Sequence, residues 1–420
     1  MNIVVLVGSY YPNYSAVGVC ASNIVRELIA RGHNLTVIAN KTNYDEEQTI
    51  QLNEQIFRVS SKLYDSQLYY NRVGKTWRDR ICSVFLRVRR YVSAFVRKEN
   101  IKRDMLDAYY RQLCEIGTGL KIDMLVPFCF PFEGCLAAAM YRGRHKDVRI
   151  IPFMMDRFAA STSLHRTNWN KKYKWNQHIA LEDFVFQMSE KILFLQSWKM
   201  HLVENHSKYQ HKFRLTEHPL LKLLCATECV DFDKDMLNVV YTGALIKSVR
   251  NPRFCFSVFR QLLDRRKDVC LHLFALGDCE ADMKKLAGDY PRNVFYYGAV
   301  NSGKAHAAML AADYLLSIGN RDITQFASKN FEYISTGKGI LHFSKNIEDP
   351  VNVLLRKYKH SLIVDEDSTD INKAEENVSE FLIAGRVPQR FLSVAEIYRD
   401  ALPSTSCDLI LSDCAVKARE

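Results

Sequence analysis

The chain has 420 residues, of which 48% are hydrophobic and 25% charged. This composition is typical of folded globular domains and excludes a largely disordered protein. One hydrophobic core rarely supports so long a chain, so we expect two or three domains. The net charge is +11, and most of it is concentrated in one segment described below.

Nothing in the sequence predicts a membrane span or a secretion signal. No apolar run reaches the roughly 18 residues that a membrane-spanning helix needs. The amino end, Met1–Val7, has no basic stretch before its apolar residues, so we expect a buried strand in a cytoplasmic protein. The twelve cysteines should then be reduced. Cys225 and Cys229 lack the second pair of ligands that a tetrahedral zinc site requires, so we expect no metal and no cofactor.

Short β-branched runs alternate with longer helical periods along the whole chain, which predicts an α/β protein with parallel sheets. In the first half the predicted strands are Ile3–Val7, Leu35–Ala39, Ile56–Val59, Met124–Val126, Arg149–Phe153 and Lys191–Leu195. In the second half they are Val239–Thr242, Leu271–Ala275, Val294–Tyr297, Tyr314–Ile318, Ile340–Phe343 and Leu362–Val364. We therefore predict two doubly wound domains, residues 1–218 and 237–385, with a linker over 219–236 and a closing helix and tail over 386–420.

A basic segment lies inside the first predicted domain. Between Ser66 and Arg103 there are eleven basic and two acidic residues, a net charge of +9. Apolar residues recur there at helical spacing, at positions Ile81, Val84, Phe85, Val88, Val92 and Phe95. A basic amphipathic helix is typical of binding to an anionic membrane surface, which would involve Arg78–Arg103. The alternative is that the apolar stripe packs on the sheet. We expect no nucleic acid as a partner, because no known nucleic-acid-binding module accompanies the charge.

The strongest functional pattern is in the second half. A predicted strand ends at Gly319-Asn320, and Ser328 precedes a short helix that ends at Gly337. The free N–H groups of a first helical turn favour an anion, and Lys329 would add a positive charge for a phosphate. Glu332 lies one turn further on the same face, where a carboxylate could accept hydrogen bonds from the hydroxyls of a ribose. A helix cap with a solvated ion pair is the simpler alternative.

A second loop in the same domain has a related pattern. The strand Val239–Thr242 is followed by Gly243, which lets a ligand approach the backbone closely. Arg250 then precedes Asn251-Pro252 at the start of a helix, where its guanidinium could bind a diphosphate through two hydrogen bonds. Two such loops in one domain together favour a nucleotide site over two unrelated basic loops.

With these motifs the sequence resembles the family 4 glycosyltransferases of the GT-B fold that build bacterial surface polysaccharides. The resemblance rests on Ser328–Tyr333, Thr336–Lys338, Leu315–Asn320, Arg250–Pro252, Gly277-Asp278, Tyr297-Gly298, Ser9–Pro12 and Arg31–Val37. It covers residues 1 to about 385. It implies two Rossmann-like domains that face each other across a cleft, the second holding the nucleotide sugar and the first the acceptor.

The resemblance also implies the reaction and its residues. A UDP- or GDP-sugar would transfer its sugar, with retention of anomeric configuration, to a lipid-linked or glycan acceptor. Arg250, Lys329 and Asp156 would be catalytic, without a metal. The nucleotide sugar would contact Gly243, Lys247, Arg250, Asn320, Ser328, Lys329 and Glu332. The acceptor-side loops would contribute Tyr11, Gly18 and Glu133. Simpler roles for two of the acids are a helix cap for Glu133 and a pair with Arg157 for Asp156.

Several positions depart from the family pattern. Thr324 replaces the first of two glutamates that are separated by seven residues, the second being Glu332, and Ala244 replaces an arginine. Ala327 and Gly339 stand where prolines are usual, and only Gly18 remains of a glycine pair. Two alternatives therefore stay open: a catalytically impaired partner subunit, and a nucleotide-sugar 2-epimerase, which would need acid and base carboxylates.

Overall fold

The computed structural model describes residues 1–74, 76–155, 157–321, 327–385 and 387–412. Asp156 and Thr324 therefore lie outside the described residues. The chain divides into two compact units: the first contains Met1–Pro219 and the chain from Asp400 onward, and the second contains Leu220–Arg399. Within the described ranges, no helix is both long and apolar enough to span a bilayer.

The first unit begins as an alternation of strands and helices. Its strands are β1 (Asn2–Val7), β2 (Asn34–Asn40), β3 (Thr49–Gln51), β4 (Gln55–Val59), β5 (Met124–Pro127), β6 (Arg149–Ile150), β7 (Phe153–Met154), β8 (Ile192–Leu195) and β9 (Phe213–Thr216). Its helices up to Pro219 are α1 (Ala16–Ala30), α2 (Lys62–Leu68), α3 (Trp77–Val96), α4 (Arg103–Gly119), α5 (Phe132–Arg144), α6 (Thr162–His165), α7 (Asn168–Met188) and α8 (Lys199–His206).

The strands of the first unit form two sheets. The larger has the order β3-β4-β2-β1-β5-β6, and the smaller has the order β7-β8-β9. Among the strands named above, β3 pairs antiparallel to β4 and the others pair parallel. One parallel bridge between Phe128 and Phe153 connects the two sheets. A central parallel strand is covered on both faces, which explains why β1 is a continuous apolar run that is buried from Ile3 to Val7.

The single strand predicted over Arg149–Phe153 is wrong. Pro152 has no N–H to donate and interrupts it, so that β6 pairs with β5 while β7 pairs with β8. The carbonyl of Pro152 accepts a hydrogen bond from Leu193 of β8. The chain therefore moves from one sheet to the other at this proline. The sequence analysis also missed the short strands β3 and β9.

The second unit is a more regular alternation. Its strands are β10 (Leu237–Ala244), β11 (Val269–Leu276), β12 (Val294–Tyr296), β13 (Tyr314–Ile318), β14 (Gly339–Ser344) and β15 (Ser361–Asp365). Its helices are α9 (Arg253–Arg265), α10 (Glu280–Asp289), α11 (Ser302–Ala311), α12 (Lys329–Ser335), α13 (Pro350–Arg356), α14 (Ile371–Ile383) and α15 (Phe391–Ile397).

The sheet of the second unit is parallel throughout, in the order β12-β11-β10-β13-β14-β15. Counted from β10, this is the 3-2-1-4-5-6 order of the Rossmann fold. The direction of winding reverses between β10 and β13. In open parallel sheets, ligands bind outside the carboxyl ends of the strands at this reversal. The topology therefore predicts a ligand site at the loops after Ala244 and Ile318.

The chain returns to the first unit for its last helix, α16 (Pro403–Leu411). α16 packs on α1, where Arg31 pairs with Asp408 at 2.6 Å. The ammonium of the fully buried Lys191 donates to the carbonyl of Leu409 at 2.8 Å and to that of Ser412. A cation at the carboxyl end of a helix satisfies carbonyls that have no partner within the helix.

Candidate functional site

The two loops at the winding reversal of the second unit are joined by a side-chain hydrogen bond. Arg250, in the loop after β10, donates from Nε and Nη2 to Oδ1 of Asn320, at 3.1 and 2.7 Å. Asn320 follows β13 and is buried. A backbone bond from Arg321 to the carbonyl of Val249, 2.8 Å long, holds the same loops together. The sequence motifs of the two loops therefore meet where the topology predicts a ligand.

The end of β10 leaves part of the Arg250 guanidinium available. Nη1 lies 3.5 Å from both the Tyr241 hydroxyl and the Ala244 carbonyl, which are long contacts. Gly243 has φ +144°, and a Cβ there would lie 3.8 Å from Nη1 of Arg250. This conformation favours glycine. Because glycine has no side chain, the backbone at Gly243 is not covered on the side of the guanidinium.

The helix α12 begins where the sequence predicts, with Ser328 at its N-cap position and Gly337 in the left-handed region at φ +73°. The Ser328 side chain makes no capping hydrogen bond. Lys329 Nζ lies 2.7 Å from Oε2 of Glu332, and Nε2 of His306 lies 3.4 Å from the same oxygen. Lys329 and Glu332 therefore share one face, as their spacing predicts.

Glu332 is a partly buried carboxylate whose pKa is lowered by its neighbours. Burial acts to raise its pKa, but the nearby His306 and the positive charge of Lys329 outweigh burial and lower the pKa to about 2. The carboxylate is therefore anionic at neutral pH and is able only to accept hydrogen bonds. His306, on α11, was missed by the sequence analysis because nothing in the local spacing connects it to Glu332.

A tyrosine fastens α12 to the end of β10. The Tyr333 hydroxyl accepts from the N–H of Thr242 at 3.0 Å and lies 3.2 Å from the Thr242 carbonyl. Burial raises the pKa of Tyr333, so it stays a neutral donor. Thr242 directly precedes Gly243, and Tyr333 directly follows Glu332. The Lys329–Glu332 pair and Arg250 are consequently held around the end of the same strand.

A buried polar pair lies close to these loops. His342 Nδ1 lies 2.9 Å from the Ser317 hydroxyl, and His342 Nε2 lies 3.9 Å from Oδ2 of Asp349. Within the described part of the chain, neither Nε2 nor Oδ2 has a hydrogen-bond partner. A Cβ on Gly319 would lie 2.7 Å from Oδ2 of Asp349, so the missing side chain makes room for this carboxylate.

Burial shifts the pKa of both members of this pair toward the uncharged form. Burial is the main factor that lowers the pKa of His342 to about 3, with the nearby Arg250 acting in the same direction. Burial also raises the pKa of Asp349. The positive charge of Arg250 acts to lower the pKa of both His342 and Asp349, so it lies near them. The sequence analysis did not find this pair, because each residue also occupies an ordinary strand or cap position.

Lys247 lies on the other side of its loop. Its Nζ is 3.7 Å from Oδ2 of Asp282 on α10, and its N–H donates to Asp278. Asn251 accepts a hydrogen bond from the N–H of Arg253, which starts α9 with Pro252 at the N-cap. The loop is therefore fixed at both ends by side chains, with Arg250 between them.

The predicted acceptor-side residues of the first unit lie in different surroundings. Glu133 is buried in the first turn of α5 and accepts from the N–H of Lys102 at 2.8 Å, and burial raises its pKa. Gly18 lies in α1, where a Cβ would meet the Ser9 carbonyl at 2.0 Å. Tyr11 is exposed. Asp156 lies outside the described residues, so its predicted catalytic role stays a prediction.

No family model matches the sequence, and no curated protein matches it either. Solved structures do match. An α,α-trehalose-phosphate synthase (UDP-forming) from Burkholderia xenovorans, in complex with glucose-6-phosphate, has a TM-score of 0.61 at 12% identity, covering 98% of this chain and 99% of that chain. WaaG, a glycosyltransferase involved in lipopolysaccharide biosynthesis, has a TM-score of 0.52 at 14% identity, with 98% and 100% covered. This protein has the GT-B fold.

The predicted fold class, α/β with two Rossmann-like domains, is thereby confirmed. The same architecture also occurs in a candidate UDP-N-acetylglucosamine 2-epimerase from Listeria monocytogenes, with a TM-score of 0.56 at 10% identity, covering 96% of this chain and 94% of that chain. Because one fold hosts several activities, the function has to be argued from the site itself.

Proposed function

We propose that the protein is a glycosyltransferase that takes a sugar from a nucleoside diphosphate donor. The observation that carries the proposal is the contact between Arg250 and Asn320 at the winding reversal, with the Lys329–Glu332 pair fastened to the same strand by Tyr333. In this proposal Arg250 and Lys329 bind the diphosphate, and Glu332 accepts hydrogen bonds from the ribose. The matches to glycosyltransferase structures support the same reading.

The proposed chemistry depends on neutralising the leaving diphosphate. As the bond from the anomeric carbon to the phosphate oxygen breaks, negative charge grows on that oxygen. Arg250 can replace the long contacts of its Nη1 by hydrogen bonds to phosphate, and Lys329 adds a second positive charge. Fixed charges that act on the transition state usually supply the largest part of catalysis. The departing phosphate would help to deprotonate the acceptor hydroxyl, and the sugar would be transferred with retention.

A thermal-shift screen of nucleotides tests the donor site directly. We expect UDP or GDP to raise the melting temperature by several degrees at millimolar concentration, since a ligand that binds only the folded state stabilises it. ADP and CDP serve as comparisons for the base. The Lys329→Ala variant should lose most of the shift, whereas replacement of the exposed Lys304 by alanine should not. No shift with any nucleoside diphosphate would reject the proposed site.

The epimerase and the impaired partner subunit are distinguished by turnover. A transferase should release nucleotide from its donor only when an acceptor extract is present. An epimerase should convert a UDP-sugar to its 2-epimer without acceptor, through acid and base carboxylates. A partner subunit should bind nucleotide and turn over nothing alone.

We further propose that the acceptor is lipid-linked and that α3 docks on an anionic membrane. Five of the six residues in the predicted apolar stripe are between 50% and 64% exposed, namely Ile81, Val84, Phe85, Val88 and Val92. The alternative, in which this stripe packs on the sheet, is therefore wrong for these five. Arginines at 78, 80, 87, 89 and 90 are also exposed. An exposed apolar stripe flanked by cations complements an anionic bilayer surface.

The attachment of α3 supports this orientation. The carbonyl of Ala94, near the end of α3, accepts hydrogen bonds from Asn170 at 3.0 Å and from the buried Lys174. At the other end, Thr76 and Asp79 form a capping box. The carboxyl end of α3 is thus held to α7 by polar contacts and its amino end is capped within the helix, and neither uses the apolar stripe.

Sedimentation with liposomes tests the membrane proposal. We expect the protein to pellet with vesicles that contain phosphatidylglycerol and to do so less at high salt, since each basic residue near such a surface contributes about 1 kcal/mol. The double change Phe85→Glu and Val88→Glu should abolish pelleting. The control Leu392→Glu, at an exposed leucine of α15, should not change it. If the protein does not pellet even at low salt, or if the stripe instead mediates self-association, the proposal is wrong.

A further inference from the structure

A stripe of buried polar side chains runs along α7 in the first unit. Asn170, Lys174, His178 and Glu182 are four residues apart and are all fully buried. Residues at this spacing share one helix face, and a buried face is ordinarily apolar. Glu182, the last residue of the stripe, contacts two buried histidines.

Two histidines of α8, His201 and the last residue His206, contact one oxygen of Glu182. Nε2 of His201 lies 2.7 Å from Oε2, and Nε2 of His206 lies 2.8 Å from the same atom. The three potential ligand atoms are all within 4.8 Å of one another, and all three residues are buried. Burial raises the pKa of Glu182, but the hydrogen bonds from the two histidines outweigh it and lower the pKa.

The outer nitrogens of both rings are also held. Nδ1 of His206 lies 2.8 Å from Oδ1 of Asp183, and Nδ1 of His201 lies 3.4 Å from the Asn205 amide nitrogen. A carboxylate that accepts the Nδ1 proton, as Asp183 can for His206, is a typical second partner of a metal-binding histidine. The Asn205 amide nitrogen can only donate, so Nδ1 of His201 accepts there, and this ring would change its tautomer on binding a metal through Nε2. Each ring is thus oriented so that its Nε2 faces the shared carboxylate.

We propose that Glu182, His201 and His206 form a structural site for a divalent metal of the zinc class. Two imidazoles and one carboxylate are a ligand set that zinc accepts, with water in the fourth position. Imidazole favours zinc and similar transition metals over magnesium or calcium. The inference does not depend on the proposed function, because the site belongs to the first unit and involves none of the donor-site residues.

A metal ion requires the three ligand atoms, which lie within 4.8 Å of one another, to adopt the spacing of one coordination shell. Two ligands of one tetrahedral zinc ion, each about 2.0 to 2.1 Å from the metal, are about 3.3 Å apart. The two contacts between nitrogen and oxygen would therefore lengthen by about half an ångström. The proton on Nε2 of each histidine would leave as the metal enters, because a metal-bound imidazole is unprotonated at the coordinating nitrogen. For His201 this proton would move to Nδ1, so that the ring stays neutral.

The position of the site indicates what a metal would stabilise. Oε1, the other oxygen of Glu182, accepts a hydrogen bond from the N–H of Ala159 at 2.9 Å. Nε2 of His165 lies 3.0 Å from the Ala159 carbonyl. The metal would thus tie α7 and α8 to the loop that follows β7. The same loop contains the predicted catalytic position 156.

Metal analysis of protein purified without an affinity tag and without chelator tests the proposal. We expect about one equivalent of zinc per chain. After removal of metal with a chelator, added zinc should raise the melting temperature by about 5 °C or more at a concentration roughly 100 times its dissociation constant. Magnesium at the same concentration should give no shift. Cobalt added in place of zinc should give the absorption bands of a tetrahedral centre. This spectrum reports metal coordination directly and does not depend on a change in melting temperature.

Matched variants assign the ligands. His206→Gln and His201→Gln should each lower zinc affinity at least tenfold, whereas His211→Gln, at an exposed histidine near α8, should leave it unchanged. If the glutamine variants fold poorly, the cobalt spectrum of the native protein still decides the point. The proposal is overturned if zinc is bound at well below one equivalent without a thermal shift. It is also overturned if both glutamine variants keep the zinc-dependent shift, which would identify adventitious binding elsewhere.

Discussion

Replacing Arg250 with alanine is expected to lower turnover of the nucleotide sugar by about a hundredfold or more, the usual cost of removing one donor that stabilises transition-state charge. The expectation follows from the position of the guanidinium, which is anchored to Asn320 through Nε and Nη2 while Nη1 has only contacts of 3.5 Å. Those remaining N–H groups are the ones we propose for the phosphate. The measurement is the rate of nucleotide release with the donor found in the thermal-shift screen.

Two further variants separate a catalytic from a structural role of Arg250. Arg250→Lys keeps the charge but cannot make two parallel hydrogen bonds, so we expect only partial recovery of kcat. Arg253→Ala, three residues further along at an exposed position, should retain activity within about twofold, as a change outside the proposed site should leave transition-state binding intact. Wild-type turnover in Arg250→Ala would refute the assignment, provided that its melting temperature is normal.

The second large effect concerns stability. Lys191→Met should destabilise the first unit by about 3 kcal/mol, because it leaves buried carbonyls at the end of α16 without a donor. The ammonium of Lys191 contacts the carbonyls of Leu409 and Ser412 and the Ser412 hydroxyl. A fall of about 5 to 10 °C in the melting temperature of the first unit is expected from a loss of this size.

Hydrogen exchange locates the effect of the Lys191 change. The amides of α16 should exchange faster in Lys191→Met, since local opening precedes unfolding of the unit. Lys199→Met alters an exposed lysine in the same unit and should change neither exchange nor melting temperature. Equal melting temperatures for the two variants would mean that Lys191 has no net role in holding α16.

The elements of the second unit were predictable because each buried parallel strand is a short β-branched run between helical periods. β13 was predicted with its observed bounds, Tyr314–Ile318. The Lys329–Glu332 pair was also predictable, because three residues on a helix are neighbours by geometry alone. In contrast, the partners Asn320 for Arg250 and His306 for Glu332 come from elements 70 and 26 positions away in the sequence. No local pattern specifies such pairs.

The functional residues of the first unit were harder to predict from the sequence, for a different physical reason. Its buried polar residues satisfy one another across elements, as Glu182 does with His201, so their sequence pattern resembles that of a solvated face. The acceptor-side role of Glu133 stays a prediction, and the hydrogen bond that its carboxylate accepts from the N–H of Lys102 was not predicted. The exposed stripe of α3 has the spacing of a core helix, and periodicity alone could not decide between a sheet and another surface as its partner.

The return of the chain at Asp400 has a practical consequence for dissecting the molecule. A gene fragment that stops at Pro219 would encode a first half without α16, leaving Lys191 and the surface of α1 uncovered. The N–H of Glu217 donates to the carbonyl of Asp400 at 3.3 Å, so the points where the chain leaves and re-enters the first unit are adjacent. Excising positions 220–399 and closing the gap with a few glycines should therefore yield an independently folding piece on which the zinc and vesicle experiments can be repeated.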